Sequence, residues 1–144
     1  MRHLLALMVM AVALGSGPAT AGELRPATLY KTPQCGCCEA TPITCVRTAL
    51  QSRSSPTDDL PLLKRQYDVP GALEGCHTTL VEGYVVEGHV PVATILRLLN
   101  EKPEIKGISL PGMSAGLPGM SGEKTGPFTI FAIGEGEPKV YAVE

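Results

Sequence analysis

Four cysteines fall between positions 35 and 45, in the stretch YKTPQCGCCEATPITC, and a fifth follows at Cys76. Cys35 and Cys38 have the C-x-x-C spacing of a dithiol redox pair, and Cys37 adds a thiol inside that motif. A simple dithiol oxidoreductase has no use for the third sulfur. Three chemistries fit such a cluster: disulfide cross-linking, a redox cycle on Cys35 and Cys38, or a metal–thiolate centre. One zinc ion would ask for four thiolates at tetrahedral corners. Adjacent Cys37 and Cys38 suit that poorly and could bridge several ions more easily. Soft thiolates at close quarters favour Cu(I), which accepts bridging sulfur and low coordination numbers. If a metal is held, the candidate ligands are Cys35, Cys37, Cys38 and Cys76. Oxidation of the thiols would release the metal, so the disulfide and metal states could interconvert.

Four further residues are candidates for secondary metal ligands or supports. His77 directly follows Cys76, and His89 lies in GHVP. Met113 and Met120 occupy a repeated Leu-Pro-Gly-Met, and thioether is a soft donor suited to Cu(I). Each has a structural alternative. The histidines could orient a loop or pack beside a helix, and methionines fill gaps in cores. The surrounding Gly and Pro place the methionines on a surface loop over residues 110–122.

Positioning these groups falls to a small number of elements. A short strand over 27–31 leads into the cysteine loop. Asp58 or Asp59 caps a helix carrying Leu60, Leu62, Leu63 and Tyr67, with Pro61 in its first turn. The runs 78–81 and 84–87 form a hairpin around Glu82-Gly83. Pro91 opens a helix over 92–100 with Val92, Ile95, Leu96 and Leu99 on one face. Strands over 128–133 and 139–143 follow. This order approaches an α/β, thioredoxin-like domain, in which the loop before the third strand faces the cysteine loop and would bring Cys76 to the others. Missing is a helix plus strand between Glu39 and Pro56, where ATPITCVRTALQSRSSP shows neither periodicity. A shifted reading frame over residues 40–56 would restore an apolar alternation there. On that reading Cys45 is accidental, and the segment as written has lost its first helix and second strand.

The N-terminus, MRHLLALMVMAVALGSGPATAGEL, has a basic start, an apolar run too short for a bilayer span, and a small-x-small site ending at Ala21. We expect a signal peptide over 1–21, export to the periplasm, and one metal-binding domain over 22–144. No membrane insertion is expected after cleavage. The formal net charge is −2, without a basic cluster, which argues against a nucleic-acid partner. Five cysteines is an odd count for an oxidising compartment, where pairs are expected.

CGCC, GCHTTLVEGYVVEGHVP and the doubled LPGM together resemble the CopG-like periplasmic copper-resistance family, over residues 27–133 apart from 40–56. The resemblance implies a thioredoxin-like envelope domain associated with copper or heavy-metal efflux. It implies a multinuclear copper–thiolate cluster on Cys35, Cys37, Cys38 and Cys76, with His77 and His89 also matching. Two alternatives stay open: a thiol or copper oxidoreductase using Cys35 and Cys38, and a disulfide-stapled interaction module.

Overall fold

The computed structural model describes residues 25–36, 50–117 and 120–144. The expected signal peptide, Cys37, Cys38 and Cys45 lie outside them. The described chain is a mixed α/β structure built on one sheet of seven strands. β1 is Arg25–Lys31, β2 Leu50–Pro56, β3 His77–Val81, β4 Tyr84–Gly88, β5 Gly107–Leu110, β6 Thr129–Ile133 and β7 Lys139–Val143. Two helices, α1 (Leu60–Gln66) and α2 (Val92–Glu101), and a 3-10 turn at Gly71–Leu73 complete it. The strand order is β2-β1-β3-β4-β5-β6-β7. β1 pairs parallel with β2 and antiparallel with β3, and β4 pairs antiparallel with β3 and parallel with β5. Among the described residues no helix is long and apolar enough to cross a membrane.

β2 corrects the expectation that residues 40–56 carry no strand as written. Leu50–Pro56 pairs with β1 along its whole length, Ser52 beside Ala27 and Ser54 beside Leu29. Leu50 is fully buried and anchors the inward face. The serines behind it are poor in apolar surface, but backbone pairing to β1 does not require apolar side chains. Leu-Gln-Ser-Arg-Ser-Ser-Pro forms the strand as written, so the strand half of the shifted-frame reading has no support, and its helix half falls on residues 40–49, outside the described ones. The mismatch survives in the side chains, since the hydroxyls of Ser52 and Ser54 are buried without a hydrogen-bond partner among the described residues.

α2 covers one face of the sheet. Ile95, Leu98 and Leu99 pack with Leu50, Val81, Val86, Ile108 and Ile130. The buried stripe is Thr94, Ile95, Leu98 and Leu99, with Val92 and Leu96 only partly buried at its border. The other face holds Val69, Leu73, Val85 and Ile133. On α1 the expected apolar face is corrected. Its buried residues are Leu60 and Lys64, whereas Leu62 and Tyr67 are exposed. The i, i+4 position that faces the sheet is a lysine because a buried carboxylate waits for it on β4.

The hairpin forms as the sequence predicts. Glu82 and Gly83 both take positive φ, 46° and 85°. That is the backbone a two-residue turn needs to match the twist of its strands. β5 was not anticipated. Its four residues are all buried between β4 and β6, and it ends at Leu110, where the irregular Gly-Pro-Met segment begins.

Candidate metal centre

Two glycines bring the candidate donors together. Gly75 precedes Cys76, and Gly88 precedes His89. A Cβ on Gly75 would lie 2.6 Å from the Gly88 Cα, and one on Gly88 would lie 2.5 Å from the Leu110 carbonyl oxygen. Gly88 also has φ of 75°, a conformation that penalises any side chain. The two backbones thus cross in direct contact, and the residues that follow are carried into one another. Cys76 Sγ sits 2.9 Å from His89 Nε2 and 3.2 Å from His77 Nδ1. One donor atom from each of Cys76, His77 and His89 falls within a span of 4.8 Å. The two imidazoles meet edge to face, centroids 4.7 Å apart.

Both histidines are about 1% exposed, while Cys76 is half-buried. Burial, then the neighbouring His89 and the Lys64 ammonium, lower the His77 pKa to about 3. His77 is accordingly neutral at pH 7, the form that ligates metal. Its Nε2 is buried without a partner among the described residues. A thiol and two imidazoles that close to each other are a donor set for Cu(I) or Zn(II) rather than for hard cations. Donors around one ion at bonds of ~2.0–2.3 Å lie about 3.5–4 Å apart, so small side-chain movements would suffice.

A buried ion pair fixes the segment beneath. Lys64 of α1 pairs with Glu87 of β4, their side chains 4% and 0% exposed. Glu87 also accepts from the Gly75 amide at 2.7 Å and from the Thr78 hydroxyl at 2.7 Å. Lys64 donates to the Gly75 carbonyl at 3.1 Å and to the Thr78 hydroxyl at 3.3 Å. Gly75 and Thr78 bracket Cys76-His77, so the dipeptide is held from both sides. Burial pushes the Glu87 carboxyl up, against the opposing pull of Lys64, Thr78 and the Gly75 amide. Sequence reasoning missed this pair. A lysine at an inward helical position was a signal, but its partner lay in another element.

Of the expected ligands, the structure gathers Cys76, His77 and His89. Cys35 lies at the same end of the sheet: Lys31, where β1 ends, pairs in register with His77, and the Cys35 amide turns back to the Thr32 carbonyl at 3.1 Å. Cys35 is disulfide-bonded and does not belong to the three-residue donor group. It must be reduced before its sulfur can ligate. Met113 is 61% exposed, in agreement with a surface loop. Met120 departs from that expectation, since it is partly buried against the core beside Leu117.

A Cys-His donor cluster at the end of a mixed sheet could hold a metal ion. Comparison with known proteins points the same way. Residues 73–120, which include Cys76, His77, His89, Met113 and Met120, match a family model described as "Protein of unknown function, DUF411". The fold is similar to that of the protein "Copper resistance protein copG", solved in two forms. Form 2 superposes with a TM-score of 0.78 at 29% identity, covering 85% of this chain and 99% of that one. Form 1 superposes at 0.77 with the same identity, covering 85% and 98%. None of the curated proteins matches the sequence. The chain is thus similar in fold to a copper resistance protein and, over residues 73–120, to the DUF411 family, in line with the resemblance its motifs carry.

Proposed function

We propose that this chain is an exported, periplasmic copper-binding protein that contributes to copper resistance. It binds Cu(I) through Cys35, Cys37, Cys38 and Cys76, with His77 and His89 beside them, as one or more ions sharing sulfur. The observation that carries the reading is the convergence of Cys76, His77 and His89 in a chain whose structural likeness is to a copper resistance protein. Support for a thioredoxin-like scaffold comes from the order β2-β1-β3-β4, with β1 and β2 parallel and β3 antiparallel to its neighbours. On that scaffold the loop after β1 and the residue before β3 share one end of the sheet. The bound copper would be buffered or handed to a copper or heavy-metal efflux system.

Anaerobic titration of the fully reduced protein with Cu(I), followed by X-ray absorption, tests it. More than one copper per chain with predominantly sulfur coordination is expected, and Cys76→Ser should reduce both stoichiometry and affinity. No binding, or binding indifferent to Cys76, overturns it.

The disulfide at Cys35 favours a second reading, a thiol–disulfide oxidoreductase using Cys35 and Cys38. That reading predicts catalysed reduction of insulin disulfides that Cys38→Ser abolishes.

A further inference from the structure

The three gathered donors are not equally reachable. His77 and His89 are sealed, and Cys76 alone is half-open. Cys76 faces a pocket of about 270 Å³ lined by Glu74, Gly75, Cys76, Gly112 and Met113. Met113, 61% exposed, is one of its lining residues and follows Gly112, whose φ is 86°. Its thioether is a neutral soft donor that binds Cu(I) or Ag(I) and has little affinity for harder divalent ions. Glu74 adds a carboxylate to the same wall, which attracts any cation without choosing among them. Met120, the other half of the repeat, is packed against the core and does not line this pocket.

We infer that Met113 is an entry ligand: a soft monovalent ion binds its sulfur first and passes from there to Cys76. This inference rests on the copper-binding reading above and adds a route to it. The transfer exchanges one sulfur ligand for another. The Cu–S(Met113) bond breaks, the Cu–S(Cys76) bond forms, the thiol proton leaves to solvent, and copper stays monovalent throughout. Met113 thus lines the same pocket as Cys76, which is the open one of the three gathered donors.

The test compares full-length wild type, Met113→Leu and Met120→Leu, reduced and anaerobic. Cu(I) is presented as its bathocuproine disulfonate complex, and transfer is followed by loss of that colour. Met113→Leu keeps the size and apolar character of the side chain and removes only the sulfur. Loading of that variant should slow at least about threefold, with the final copper stoichiometry unchanged, because a soft donor is lost only from the path. Met120→Leu should load like wild type, and Zn(II) uptake should be the same in all three proteins. Equal copper rates for Met113→Leu and wild type overturn the inference while leaving copper binding intact. Equal slowing of Zn(II) also overturns it, by showing that the side chain shapes the pocket rather than binding the ion. Failure of wild type to take up copper would instead remove the copper-binding reading, and the entry route with it.

Discussion

His77 shows how a buried candidate donor taxes the fold that holds it. Its ring lies almost wholly out of water beside a second imidazole and within the field of Lys64. Folding therefore favours the neutral form, and the pKa falls from 6.5 to about 3. The lowered value means that the unfolded chain binds the proton more readily. The stabilising contribution is complete above pH 6.5 and is lost progressively as pH falls towards 3. The metal-free protein should lose stability at up to ~1.4 kcal/mol per pH unit over that window from this group. Urea unfolding midpoints of wild type and His77→Gln between about pH 7 and pH 4 check it. The variant should show the shallower dependence; parallel profiles would contradict the assignment. At this scale the sequence named Cys76, His77 and His89 as candidates, because residue type and adjacency carry donor chemistry, and the structure brings the three together. It could not separate Met113 from Met120. The two sit in identical tetrapeptides, and only packing makes one a surface group and the other a core filler.

Among the elements, β2 is the one whose side chains fit least well. Ser52 and Ser54 turn inward beside Ala27 and Leu29, and their hydroxyls find no partner among the described residues. A buried unsatisfied hydroxyl costs free energy, and a β-branched apolar residue would favour the pleated, half-buried position. Ser52→Val and Ser54→Val should each stabilise the protein by about 1 kcal/mol, read as a higher thermal midpoint, with no change in metal stoichiometry. A lower midpoint would mean that the hydroxyls are satisfied after all. The helix α2, the β3–β4 hairpin and the strands β6 and β7 were legible because period and turn chemistry are local. β5 was not, since four residues with a leading glycine make too short a run to show alternation. Gly107 is there because β5 lies so close to β4 that a Cβ would fall 1.9 Å from the Val85 carbonyl oxygen.

The whole molecule is tied together beneath the site by Lys64 and Glu87. The pair joins α1 to β4 and, through Gly75 and Thr78, to both sides of Cys76-His77. Removing one partner strands a buried charge. Glu87→Leu should cost about 3–5 kcal/mol, whereas Lys64→Met combined with Glu87→Gln should recover most of that loss. Denaturant unfolding of the two variants checks the difference, and equal losses would show that the hydrogen bonds to Gly75 outweigh the charge pairing. The sequence by itself determined the donor types, the soft-metal chemistry they permit and most of the regular elements. These depend on residue identity and on spacings of a few positions. Tertiary structure decided which donors meet: two glycines distant in the chain let their backbones touch, and β4 delivers His89 to Cys76. It also decided that a lysine is buried and that a serine-rich segment is a strand, because both depend on partners supplied by other parts of the fold.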